Sequence, residues 1–189
     1  LYSDLNLSYW ILWVSIFLND FKLESAKSIN LSASTWLLIS SYAVSMTNFT
    51  SSSKSFISSV FSEVKPEIIY TLNRSDVHSD HRVIFDAVMA CTKSFRYPFI
   101  KQILMYECIS ETEFAPILPE RVFQPNYFVD ISNFLHKKIE IMKIFDSELG
   151  EHPFPRSIKN IEALATFRGA SVGVEFAESF QLIKLIDKW

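Results

Sequence analysis

The change of pattern near Lys65 constrains what this chain can fold into more than any other feature. From there onward short apolar runs alternate with amphipathic ones. PEIIYTL predicts a buried strand, with Pro66 tolerated near its start. SDHRVIFDAVMACTKS predicts a helix, because Val83, Ile84, Ala87, Val88 and Cys91 fall on one stripe. Either Ser79 or Asp76 offers it an N-cap. KQILMYECI predicts a second strand, and a loop carrying Pro116 and Pro119 follows. PNYFVDIS then reads as a short strand leading into the helix SNFLHKKIEIMKIFDSEL, which stops near Gly150. After the proline-bearing loop EHPFPRS, SIKNIEALATFR predicts another amphipathic helix ending at Gly169. VEFAESFQLIKLI mixes both signals, and its end reads as a strand. Strands alternating with helices predict an α/β class: a Rossmann-like layered sheet with flanking helices.

The front of the chain does not share this order. Residues 1–57 form an atypical serine-rich segment, and all three glycines (Gly150, Gly169, Gly173) lie in the last quarter. So long a glycine-free stretch is foreign to tight βα turns, and the N-terminal part of the fold is expected to be incomplete or irregular. FISSVFSEV reads as a helix end with Phe56, Val60 and Phe61 on one face. YWILWVSIFL, residues 9–18, is too short to span a bilayer and has no basic segment before it; a core strand or a buried helix is expected. The length of 189 residues suits one domain over 1–189, its regular region being 58–189.

Composition narrows the partners. A formal net charge of -3 and the absence of a Lys/Arg cluster argue against nucleic acid and against an anionic lipid surface. Cys91 and Cys108 are too few and too far apart for a disulfide framework, and both sit in apolar segments. They read as reduced buried thiols in a cytoplasmic protein. A small molecule or another protein is the expected partner, and the 15% of aromatic residues permits an oligomer without requiring one.

Ionisable chemistry concentrates in NRSDVHSDHR, directly after PEIIYTL, where two of the four histidines stand three residues apart. Ligand crevices of open α/β sheets form at the carboxyl ends of strands. His81 falls in the first turn of the helix, where the dipole disfavours an imidazolium; a neutral ring with a free lone pair is what zinc needs. His78 lies just before the helix, between Asp76 and Asp80, whose carboxylates favour its protonated form and suit a general acid or oxyanion stabiliser. A lone H-x-x-H is nonetheless a weak signal, lacking the glutamate of helical zinc motifs and compatible with a solvated, capped helix start.

The motifs FQPNYFVDIS, KKIEIMKIFDSEL, EHPFPRS and RGASVGVEFAESF, following DVHSDHR in that order, resemble the C-terminal half of the PIG-L, or LmbE-like, deacetylase family. The resemblance runs from about Ser58 to Ile186. It implies zinc-dependent removal of an acetyl group from an N-acetylglucosamine conjugate, an amino-sugar small molecule. By the same resemblance His81 is a zinc ligand, His78 stabilises the tetrahedral intermediate and protonates the leaving amine, and Asp80 tunes His78. Asp76 is expected to hold the loop or cap the helix. Arg168 and Glu178 are weak substrate-side candidates, and they could equally pair with each other. His136 and His152 are expected to be a solvated or packing residue and a loop-shaping one.

The family's remaining ligands and its general base come from an H-P-D-D segment that does not occur in this sequence. The chain is either a fragment beginning downstream of that segment or one whose front has diverged. On either account the expectation is a deacetylase-type chain inactive by itself. The rival readings are a metal-free sugar-binding domain and a structural or interaction domain.

Overall fold

The computed structural model describes residues 49–187, the side chains of 49–53 excepted. YWILWVSIFL and most of the serine-rich front lie outside the described residues. The elements are α1 (Phe49–Val64), β1 (Ile68–Leu72), α2 (Ser79–Ala90), β2 (Gln102–Tyr106), β3 (Tyr127–Asp130), α3 (Leu135–Ile144), a 3-10 turn (Asp146–Glu148), α4 (Ile158–Ala170) and β4 (Ala177–Leu185). They form the expected α/β sandwich of helices about a sheet.

Among the described residues the sheet has the order β1-β2-β4-β3. β1 and β2 are parallel and joined through α2, with Ile69 opposite Ile103 and Leu72 opposite Tyr106. β4 then pairs antiparallel with both β2 and β3, its register slipping between Ile103 and Leu104. Because side chains alternate along a strand, β2 feeds two cores at once. Ile103 packs with Phe61 of α1 and with Ile69, Val88, Cys91, Tyr97 and Ile100 on one face. Leu104 and Tyr106 pack on the other, against Leu72, Ile131, Leu135, Ile141, Met142, Ile161 and Phe180. A strand buried on both sides reads as an unbroken apolar run, which is why KQILMYECI was legible.

The stripe on α2 is where its periodicity places it: Ala87, Val88 and Cys91 are buried and Ile84 packs against both cores. His81, one turn before Ile84, heads the same stripe and is buried with it. On α1, Phe61 is buried while Phe56 and Val60 are half-buried, and Ile57, one turn before Phe61, packs beside it. β4 starts at Ala177, earlier than the apolar end of its segment suggests. Gly169 is required by a close approach. A Cβ there would stand 2.7 Å from the carbonyl oxygens of Val174 and Glu175 as the chain turns back toward β4. Gly173, at φ 79°, makes that turn.

Candidate active site at the carboxyl end of the parallel pair

β1 ends at Leu72, and the chain leaves the sheet through Asn73–Val77 before α2 begins. The Asp76 amide donates to the Asn73 carbonyl, and the Val77 amide donates across to the Glu111 carbonyl of the loop after β2. Arg82 reaches back with one guanidinium nitrogen to the carbonyls of Asp76 (2.8 Å) and Val77 (2.7 Å). Arg74 donates to the carbonyl of Glu120 in the same post-β2 loop. The histidine loop is thereby tied both to its own helix and to the neighbouring strand's exit.

Neither Ser79 nor Asp76 caps α2. The cap is His78, whose Nδ1 accepts the Asp80 amide at 3.2 Å. An imidazole nitrogen in that position does what a serine or aspartate oxygen usually does: it satisfies an orphan donor of the first turn. The nitrogen that accepts carries the lone pair, so Nε2 holds the ring proton. The carboxylate of Asp80 stands 3.9 Å from the same Nδ1, at the outer limit of an ion pair, and accepts instead from the Ser79 hydroxyl at 3.2 Å. The contact seen here is therefore one of a neutral, capping ring, in place of the carboxylate-stabilised imidazolium expected from the flanking aspartates.

His81 is held more tightly. Its Nδ1 lies 2.7 Å from Oδ2 of Asp76, a carboxylate with no solvent exposure. Oδ1 of Asp76 accepts the Thr112 hydroxyl at 2.7 Å, so both carboxylate oxygens are engaged. With Nδ1 donating to Asp76, the neutral ring has its lone pair on Nε2, the arrangement found behind metal-bound histidines. The two imidazoles lie side by side, centroids 5.3 Å apart and planes 35° off parallel. His81 is only 3% exposed, so the open cleft expected for it is not what surrounds this ring. The reason is its place at the head of α2's core stripe.

The neighbours of this pair are structural. Cys108, just past β2, is fully buried, and burial followed by the charge of Asp76 holds its thiol well above the usual range. It is a packing group and not a nucleophile. Arg168 does not meet Glu178. It grips Glu107 at the end of β2 with two bonds of 2.8 and 2.6 Å, while Ser179 donates to the same carboxylate at 2.6 Å. Glu178 pairs with the buried Lys138 of α3. Both weak substrate-side candidates are thus committed to ion pairs joining helices to the sheet. His136 and His152 are exposed and belong to α3 and to the EHPFPRS loop.

His78, Asp80 and His81 thus lie together at the start of α2, with Asp76 held against His81. The signal for Asp76 was present, an aspartate five residues before a helical histidine across a loop. Thr112 and Glu107 carried no comparable signal, because β2 and its exit loop bring them in from elsewhere in the chain. Among the described residues no group of three or more His, Cys, Asp or Glu side chains is arranged to hold a metal ion. The described residues thus do not by themselves make a complete zinc site.

The open α/β sheet flanked by helices matches the LmbE-like α/β fold of solved structures. The chain is similar at this level to the N,N'-diacetylchitobiose deacetylase of Pyrococcus horikoshii, with a TM-score of 0.59 and 13% identity over 96% of this chain and 80% of that one. It is similar also to GalB, the 4-carboxy-2-hydroxymuconate hydratase of Pseudomonas putida KT2440, with a TM-score of 0.60 and 13% identity over 96% of this chain and 95% of the hydratase. The zinc-inhibited form of teicoplanin deacetylase Orf2 gives 0.53 and 14%, over 86% of this chain and 58% of that one. Identities this low establish a common fold. No family model matches the chain, nor does the sequence of any curated protein.

Proposed function

We propose that this chain is one domain over 1–189 of the deacetylase type, whose chemistry is removal of an acetyl group from an N-acetylglucosamine conjugate in the cytoplasm, and that it is inactive alone because the H-P-D-D segment does not occur in it. The observation that carries the reading is the Asp76–His81 pair beside His78 at the carboxyl end of β1. Two of the three structures compared above are deacetylases by name, and the motifs DVHSDHR to RGASVGVEFAESF run in the deacetylase order. The fold alone does not choose the chemistry, since a hydratase shares it.

Zinc is the metal this reading implies, with His81 Nε2 as one ligand; when bound, it would polarise the acetyl carbonyl and acidify a water. The other ligands and the aspartate base are not among the described residues. The chain's own residues have definite tasks. Asp76 holds the His81 ring and its tautomer. His78, capping α2 through Nδ1, presents an Nε2–H that can donate to an oxyanion; one such donor contributes ~3 to 4 kcal/mol to the transition state. To protonate an amine, His78 must first take a proton at Nδ1 and so surrender the cap. Asp80, 3.9 Å away, is placed to receive that charge.

A second reading, a metal-free sugar-binding or interaction domain, is favoured by the enclosure of His81. Calorimetric zinc titration of the purified full chain, with acetate release from an N-acetylglucosaminide measured alongside, separates the two. The proposal expects no acetate release by the chain alone, which lacks the H-P-D-D ligands and base, and expects any zinc that it does bind to be lost in His81→Ala. Binding indifferent to His81→Ala would leave the metal-free reading, and released acetate would overturn the claim of inactivity.

A further inference from the structure

Thr112 occupies a tight turn directly after β2, and nothing in the reaction proposed above requires it. Its hydroxyl oxygen accepts the amide of Cys108 at 2.8 Å, and its own amide donates to the Cys108 carbonyl at 2.9 Å. A hydroxyl has a single proton. With the amide occupying one lone pair, that proton goes to Oδ1 of Asp76 at 2.7 Å. The remaining oxygen of the same carboxylate takes the proton on His81 Nδ1, also at 2.7 Å. The donors therefore converge on Asp76, the Thr112 hydroxyl (itself held by the Cys108 amide) from one side and the imidazole N–H from the other.

We infer that Thr112 is a positioning residue: it locks the Asp76 carboxylate in the orientation that fixes His81 as the Nδ1–H tautomer, with Nε2 left as the acceptor. The physical need is plain. Asp76 is wholly buried, so water cannot replace a lost donor, and a carboxylate held on one side alone can turn about its terminal bond. Thr112 is 36 residues from Asp76 in sequence, so the strand pairing of β1 with β2 is what brings tautomer control to the histidine loop. The inference deepens the proposed hydrolase site, resting on that reading only for what the freed nitrogen would hold.

The test is made on metal-free, full-length, 15N-labelled chain by two-bond proton–nitrogen correlation of the imidazole rings, the His81 signals being those lost in His81→Gln. Wild-type His81 is expected as the pure Nδ1–H tautomer; an Nε2–H ring there overturns the inference. Thr112→Val, of nearly the same shape, is expected to show both tautomers or exchange-broadened His81 signals while the backbone amide spectrum stays dispersed. Thr112→Ser is expected to restore the wild-type pattern. An unchanged His81 in a folded valine variant, or a folded serine variant that behaves like valine, overturns the assignment. Should the valine variant not fold, the serine variant decides alone, by keeping or losing the wild-type His81 pattern. Zinc binding indifferent to His81→Ala while this pattern holds would count against the hydrolase reading and leave the Thr112 assignment standing.

Discussion

Thr71 and Asp76 are both buried polar residues near the end of β1, and their circumstances are opposite. Each carboxylate oxygen of Asp76 has a donor, which is the condition for enclosing such a group without severe loss. The Thr71 hydroxyl, on a residue 2% exposed, finds no hydrogen-bond partner among the described residues, and neither does Nδ2 of Asn73 two positions on. An unpaired buried hydroxyl keeps its desolvation cost with nothing to offset it. Thr71→Val removes the hydroxyl and retains the branched shape that suits a strand. The expected result is a gain of about 1 kcal/mol in stability, read as a higher urea midpoint at unchanged slope. A lower midpoint would mean that the hydroxyl has a partner after all.

At the level of elements, what was legible depended on how local the cause was. The β1-α2-β2 unit follows from period and apolar runs that lie within single segments. The start of β4 did not, because Ala177, Glu178 and Ser179 have little strand character. They are strand because β3 holds them, with Asp130, Val129 and Phe128 standing opposite. The α2 cap was missed for a related reason: an imidazole is not among the habitual capping side chains, and only the loop's tie to Glu111 and Arg82 sets His78 in place. In the site itself the neighbouring histidines were visible from spacing alone. Thr112 and Glu107 were not, since strand pairing delivers them. The α4 to β4 turn tests this view of close approach. Gly169→Ala would drive a methyl to 2.7 Å from two backbone carbonyls, atoms that cannot swing aside as a flexible side chain does. Overpacking of this kind costs about 1 to 3 kcal/mol. Thermal unfolding should show the loss, and a variant as stable as the parent would show that the turn relaxes freely.

Across the whole molecule the sheet's aromatic residues couple its strands to pH. Tyr70 of β1 and Tyr127 of β3 both lie against Phe180 of β4, with ring centroids 5.6 and 6.3 Å from it. Burial, and then the neighbouring Tyr127, push the Tyr70 phenol up to about 12. Burial likewise holds Tyr106 on β2 well above its ordinary value, with the nearby Cys108 and Asp76 adding to the effect. An unfolded tyrosine ionises near ~10. These phenols are therefore kept protonated by the fold, and the sign of the linkage follows. Their contribution is intact while both states are protonated, and it is lost as pH climbs from the unfolded value through the folded one. No such loss arises from them below about pH 9. Urea midpoints should consequently stay level to that point and then fall between roughly 10 and 12, with tyrosinate absorbance appearing as the chain unfolds. Tyr70→Phe keeps the ring against Phe180 and removes one ionising group, so its decline over that interval should be shallower. Equal slopes for the two proteins would mean that Tyr70 ionises as readily in the folded sheet as in the unfolded chain. The packing of β1 toward β4 across β2 would then be looser than the ring contacts describe.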